Sequence, residues 1–325
     1  MATYRIVKLC NLSPLHIGTG RDDYSTSSPC VHSDTLSAAL AAMLAQTSVN
    51  ADIESFMESF TISNTFPFVD NRYFMPKPIG RLAVQGCSEE QVRKKLKKLK
   101  YIELPVWSQV VSGEAPFINE KQLNGEFLLE AGNENVNPYR SQVSQRVNIS
   151  PENSNTTPFF FKWQYHSPNA GLFCIVDASE GTMKKLEELF TLLGDTGIGS
   201  SKSVGGGKFN VKIESIELPT IENPDSTLLL SLYIPSPEEI NSIDLEKSRY
   251  ELLKRGGYMA GSTVPKFQHL LKKSVYMFNA GSVFAGQHRL NGIIADITPS
   301  WNDTLMHRVL RSGRPIVLPV KTQKV

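Results

Sequence analysis

The sequence has little cysteine, and what it has is dispersed. Cys10, Cys30, Cys87 and Cys174 form no C-x-x-C pair and have no histidine at finger spacing, which argues against a zinc site or a disulfide framework. No uninterrupted apolar run reaches about 18 residues, so no membrane-spanning helix and no membrane partner are expected. The opening stretch Met1 to Cys10 carries Arg5 and Lys8 inside a β-like alternation instead of ahead of an apolar signal core, so a cytoplasmic protein is expected. An excess of one charge is missing too: 34 basic and 32 acidic side chains leave a net +2, so only local charge can announce a nucleic-acid partner. The patterns G-x-S-x-G and H-E-x-x-H and a paired His-Asp metal motif do not occur, and neither a metal nor a cofactor is expected.

What remains is the composition of a globular protein. The 325 residues are 40% hydrophobic and 20% charged, enough for two domains with buried cores. Thr3 to Leu12 alternates like a strand, and a loop rich in Gly, Ser and Asp follows to Pro29. Ser33 and Asp34 then stand where a helix start needs acceptors for its free amides, ahead of Leu36, Leu40, Met43 and Leu44 at helical spacing. Ser88 with Glu89 and Glu90 opens a second helix, whose lysines between Arg93 and Lys100 read as a solvated face complementing the helix dipole. Asn133 to Pro158 has no clear period and reads as a long excursion. Strand-like Pro158 to Tyr165 and Gly171 to Val176 come next. A helix over Gly181 to Leu193 follows, with Gly194 at its C-terminal glycine position. After strand-like Lys208 to Leu218, the Pro-containing stretch from Pro219 to Asp225 divides domain 1–218 from domain 219–325. The second unit is expected to run from a strand over Thr227 to Ile234, through a helix over Pro237 to Lys254, to strands over Gly292 to Ile297 and Ile316 to Val320.

The segment from Gly194 to Phe209 carries the richest chemistry. Glycines including Gly205, Gly206 and Gly207 let backbone approach a ligand and turn amides toward an anion, while Lys202 and Lys208 can neutralise phosphate. The segment is not a Walker loop, because Lys202 replaces the first glycine and Phe209 replaces the Ser or Thr after Lys208. Gly197-Ile198-Gly199 lacks the third glycine of a dinucleotide fingerprint. A flexible turn between helix and strand is the bland alternative. His16, in His16-Ile17-Gly18-Thr19-Gly20-Arg21, suits packing, a stacking platform or a general base. Arg255, Lys266, Lys272, Lys273 and Arg289 interleave with Tyr258, Phe267, Tyr276 and Phe278, a mixture that suits single-stranded RNA as well as an amphipathic strand.

Taken together these segments resemble the RAMP proteins of CRISPR effector complexes. Gly205-Gly206-Gly207-Lys208-Phe209 is similar to that superfamily's glycine-rich ending. Leu15 to Gly20, followed by His32 to Leu40, is similar to the subunit that binds the 5′ handle of the guide RNA (crRNA) in type III-A Csm complexes. Arg255-Gly256-Gly257, Lys272 to Phe278, Gly281 to Phe284 and Asp296 to Pro299 extend the likeness over most of the chain. Val309 to Gly313 departs from the family's usual Tyr-Arg-Tyr-Gly and keeps only Arg311 and Gly313.

The resemblance implies an α+β fold of two ferredoxin-like (RRM-like) domains, with the glycine-rich loop and an inserted hairpin-like excursion within Asn133 to Pro158. It implies a non-catalytic RNA-binding subunit whose partners are the crRNA 5′ handle, the large polymerase-like subunit, an adjacent backbone RAMP and, indirectly, target RNA. The implied RNA-contacting residues are His16, Gly18, Arg140, Arg146, Lys202, Ser203, Gly205, Gly206, Gly207, Lys208, Arg255, Lys272 and Lys273. The alternative is a RAMP endoribonuclease that processes crRNA precursors, with His16 or His32 as general acid or base.

Overall fold

A computed structural model describes residues 1–18, 24–48, 50–87, 89–132, 136–149, 156–259, 261–301 and 303–323. Thr19 to Arg21 of the His16 motif, Ser88, and the parts of the excursion around Asn133 and Pro151 lie outside the described residues.

The chain opens with β1 (Ala2–Cys10), α1 (Ser33–Thr47), α2 (Ile53–Glu58), β2 (Phe60–Ile62), β3 (Phe66–Val69) and β4 (Arg72–Pro76). A lobe follows, made of α3 (Glu89–Lys98), β5 (Tyr101–Glu103), α4 (Leu104–Val111), β6 (Leu123–Asn124) and β7 (Phe127–Leu128). Next comes a long hairpin, β8 (Tyr139–Ile149) with β9 (Thr156–His166), and then β10 (Ala170–Ala178), α5 (Glu180–Thr196) and β11 (Asn210–Leu218). These strands form one sheet in the order β11-β1-β10-β3-β4-β5-β7-β6, with β2 also on β10; only β5 and β7 run parallel. The hairpin stands apart as its own two-stranded sheet.

The sheet's periodicity decides its burial. Val7 and Leu9 of β1 and Leu172, Cys174 and Val176 of β10 point to one face, where Leu36, Leu40 and Met43 of α1 and Leu186, Phe190 and Leu193 of α5 cover them. Ile6, Phe173, Ile175 and Ile216 point to the other face. That face is covered by Trp107 and Val110 of α4 together with Leu228, Leu230, Leu318 and Val320 of the second unit.

That second unit begins with β12 (Ser226–Leu229), α6 (Pro237–Ser242) and β13 (Asp244–Arg249). It continues through β14 (Leu252–Arg255), β15 (Val275–Phe278), β16 (Val283–Ala285), β17 (Ile294–Asp296), β18 (Leu310–Ser312) and β19 (Val317–Val320). Its main sheet runs β13-β16-β12-β19, antiparallel throughout, and β14-β15 and β17-β18 are separate ribbons. A smaller core of Tyr233, Phe278, Phe284 and Leu290 belongs to this unit alone.

Three expectations are corrected. The helix expected over Pro237 to Lys254 ends at Ser242, because Asp244–Arg249 pairs with β16 and Leu252–Arg255 with β15. Gly194 lies inside α5, where a Cβ would stand 2.3 Å from the Phe209 carbonyl oxygen; the helix ends at Gly197, with φ of 88°. Ser33 and Asp34 do not cap α1. His32 holds the cap position with no side-chain hydrogen bond, while Ser33 Oγ accepts from Leu232 N at 2.9 Å and Asp34 pairs with arginines of the second unit.

Candidate nucleic-acid interface

Between α5 and β11 the glycine-rich segment folds back on itself and against the β1–α1 connection. Ile198 N donates to Gly207 O at 2.9 Å, Ser200 N to His16 O at 2.9 Å, and Gly207 N to Pro14 O at 3.0 Å. Gly205 N donates to Lys202 O and Gly206 N to Ser201 O, at 3.0 and 3.1 Å. Ser13 Oγ accepts from Lys208 N at 2.7 Å and donates to Gly205 O at 2.8 Å. The amides of Gly205, Gly206 and Gly207 are therefore spent inside the protein and do not form the anion cradle expected of them. Their service is steric: at Gly207, φ is +69° and a Cβ would meet the Ile198 carbonyl oxygen at 1.9 Å.

What the loop presents outward is a short 3-10 turn, Lys202–Val204, entered through Ser201 in the left-handed region. The side chains of Lys202, Ser203, Val204 and Lys208 are exposed, and the Lys202 and Ser203 amides have no acceptor among the described residues.

The hairpin forms the second wall. Its period of two places Phe159, Phe161, Trp163 and Tyr165 on one face with Arg140 and Arg146. The Arg146 guanidinium lies 4.5 Å from the Phe161 ring centre and 5.2 Å from that of Trp163, and Arg140 lies 5.8 Å from that of Tyr165. Tyr24 stacks on Phe161 at 5.9 Å. Leu15 exchanges backbone hydrogen bonds with Gln164, and a Cβ on Gly206 would come within 3.0 Å of the Trp163 ring. The glycine-rich loop, the β1–α1 connection and the aromatic hairpin face thus pack together, with Phe161 and Trp163 buried between them and Tyr24 and Arg140 exposed. Across β9 from that face, a half-open cavity of about 230 Å³ is lined by residues including Lys100, Asn137, Lys162 and Gln164.

His16 is inside this assembly and not on it. It is 1% exposed, packs at 4.3 Å on Phe161, and lies 2.8 Å through Nδ1 from the Lys162 carbonyl oxygen. A carbonyl only accepts, so Nδ1 carries the proton. Burial, with Arg146 nearby, pushes its pKa below the ordinary value against the Lys162 hydrogen bond. The expected RNA contact through His16 is corrected to packing; Gly18 beside it is exposed, with open space where a Cβ would be. His32 is half-buried, pushed down to about 4 by desolvation and then by Arg255, and its Nδ1 accepts from Asn64 Nδ2 at 3.2 Å.

The remaining expected residues lie at the seam between the units. Arg255 makes a two-pronged pair with Asp34, Nε to Oδ2 and Nη2 to Oδ1, both at 3.0 Å, and is committed to that carboxylate instead of being free for phosphate. Arg311 approaches the same Oδ2 at 3.2 Å and donates through Nη2 to Gly256 O. Lys272 is half-buried nearby, and Lys273 is exposed. Sequence reasoning missed Asp34, Phe161 and Trp163 as parts of these sites. The aromatic residue at every second position from Phe159 to Tyr165 is a signal for the hairpin face, whereas Asp34 and Arg255 are 221 positions apart and share none.

Residues 9–210 match the model of the RAMP superfamily. The chain belongs to the RAMP superfamily. Residues 222–320 of this RAMP match the Csm4 C-terminal domain. It is 21% identical over 375 residues to the "CRISPR system Cms protein Csm4" of Methanocaldococcus jannaschii, covering 96% of each chain. It is 26% identical over 275 residues to the protein of the same name from Streptococcus thermophilus, covering 81% of each. Among solved structures, a chain of a Csm1-Csm4 cassette in complex with cA4 superposes with a TM-score of 0.63 at 16% identity, over all of both chains. A chain of a Csm3-Csm4 subcomplex of the type III-A CRISPR-Cas interference complex gives 0.61 at 18% identity, covering 98% and 99%. The fold shared with these structures thus spans nearly the whole chain.

Proposed function

We propose that this RAMP is a non-catalytic RNA-binding subunit of a type III-A CRISPR Csm complex. It holds the 5′ handle of the crRNA, docks the large polymerase-like subunit and adjoins a backbone RAMP, meeting target RNA only indirectly. The observation that carries this reading is the continuous surface on which exposed Lys202, Ser203 and Lys208 adjoin the hairpin, where exposed Tyr24 and half-buried Phe159 and Arg146 overlie the buried Phe161 and Trp163. Cations hold phosphates and aromatic faces stack bases, which together suit a single strand. Arg140 extends the cationic surface along the hairpin, Lys273 is exposed at the seam, and the hairpin acts as the projecting element that the RAMP resemblance implies. Csm4 relatives of similar length support the Csm assignment, and solved assemblies of Csm4 with Csm1 and with Csm3 support the two protein partners.

A binding role also fits the histidines: both His16 and His32 are pushed toward the neutral form, and His16 is 1% exposed, which suits packing better than proton transfer to RNA. Among the described residues no helix is long and apolar enough to cross a membrane, in keeping with a cytoplasmic complex. The strand order β11-β1-β10-β3, with α1 and α5 as crossovers, supports reading 1–218 as a ferredoxin-like domain, and 219–325 is read as a second such domain with a single short helix, α6, among the described residues.

The test is the double substitution Lys202→Ala with Lys208→Ala. Handle-RNA affinity falls, and the slope of log affinity against log salt flattens by about one to two units. An unchanged slope removes both lysines from the site.

A further inference from the structure

Charge at the seam is out of balance. Asp34 is 2% exposed, and both its oxygens are occupied: Oδ2 faces Arg255 Nε and Arg311 Nη1, and Oδ1 accepts from Arg255 Nη2 and from the Thr35 hydroxyl. Lys272 lies in the field of all three charged groups, and no carboxylate among the described residues pairs with it. Three cations therefore crowd one carboxylate. An ammonium drawn out of water without a counter-ion is costly, and the cost is visible: burial and then Arg311 push Lys272 down to about 8, against Asp34. Arg311 Nη1 is itself buried without a hydrogen-bond acceptor, although it is close to Asp34.

Lys272 is half-buried, between exposed Leu271 and Lys273 and two residues before exposed Ser274. Its amide donates to Gly257 O at 2.9 Å, which sets Lys272 beside the Gly256-Gly257 backbone. Gly257 has φ of +105° and open space where a Cβ would stand, while a Cβ on Gly256 would meet Ser274 Oγ at 2.9 Å. An exposed hydroxyl and a glycine pair thus lie beside Lys272, whose ammonium has no carboxylate partner among the described residues.

We propose that one phosphate of a bound polynucleotide docks against Lys272, Ser274 and the Gly256-Gly257 backbone, supplying the seam's missing negative charge and clamping α1 of the first unit to β14 and β18 of the second. This rests on the RNA-binding reading and deepens it: the strand is a structural part of the seam, not only cargo on the loop and hairpin.

The experiment uses the full chain with Lys272→Met and Lys272→Arg. It measures the thermal midpoint without RNA and the affinity for a handle oligoribonucleotide at several salt concentrations. Removing an uncompensated cation raises the midpoint of the RNA-free Lys272→Met chain. The same change weakens RNA binding about tenfold, as expected for one charge-assisted contact, and lowers the salt slope by about one. Lys272→Arg retains the binding. A lower midpoint for Lys272→Met, or unchanged RNA affinity and slope, overturns the proposal. A wild-type chain that binds no oligoribonucleotide overturns the RNA reading itself, whereas normal wild-type binding with an indifferent Lys272→Met chain sinks the phosphate clamp alone.

Discussion

At the scale of single residues, Asp34 sets the terms of the seam. Its carboxylate is pulled down to about 2 by Arg255 and Arg311 in spite of burial, which is the largest influence and acts the other way. Asp34→Asn leaves two guanidinium groups without their counter-charge and destabilises the chain by about 3–5 kcal/mol, measured by urea unfolding at neutral pH. The sign of its pH dependence follows from a folded pKa below the unfolded one. The ion pair's contribution is complete above about pH 4 and is lost as pH falls toward 2, so the gap between wild type and Asp34→Asn narrows by about 2 kcal/mol between pH 5 and pH 2. A gap that stays constant over that range rules out the charged pair. His32 and His166, both pushed down to about 4 with burial the foremost cause, weaken both chains as pH drops below about 6.5, which makes the difference between chains the quantity to follow. Asp34 also shows why the seam was unreadable in the sequence: a Ser-Asp pair ahead of an apolar helical stripe has the letters of a helix cap, and only tertiary structure hands the two side chains to Leu232, Arg255 and Arg311.

At the scale of elements, the glycine-rich loop is shaped by close approach. Gly207→Ala must displace the Ile198 carbonyl at a positive φ, whereas Gly205, at φ of +82°, has nothing within 4 Å of a new Cβ. Gly205→Ala therefore costs about 1 kcal/mol for its backbone conformation alone, and Gly207→Ala costs 2 kcal/mol or more, compared by denaturant midpoints. Equal costs would mean that the loop does not pack as described. The elements readable in advance were those with strong periodicity and local partners: β1, α1, α5 and β11 fall within a few residues of expectation. β17 and β19 also fall within expected strands, but Asp244–Arg249 and Leu252–Arg255 were not readable, because they are mostly polar segments defined by distant partners in β16 and β15. The loop's position and its lysines were foreseen. That its glycine amides bond inward was not, since composition marks backbone freedom and says nothing of which carbonyl is waiting.

At the scale of the whole molecule, the two units share a face: Leu228, Leu230, Leu318 and Val320 sit in the same core as Ile6, Phe173 and Ile175. Asn64 N donates to Leu230 O across the seam at 2.9 Å, and Ser231 Oγ donates to Ile62 O at 2.8 Å. A single protease cut introduced between Pro219 and Asp225 leaves both fragments together in gel filtration, whereas residues 1–218 expressed alone aggregate. Separation of the cut halves without denaturant would contradict the common core. Synthesis runs in one direction, and this has a temporal consequence. When Leu218 leaves the ribosome, the sheet's second face has only α4 to cover it, and its last cover, β19, is still about 100 residues away. At about 5–20 residues per second that is a delay of roughly 5–20 s. During that interval the nascent chain exposes an oily surface the size of a subunit contact, a natural client for chaperones and a point at which slow translation would be felt.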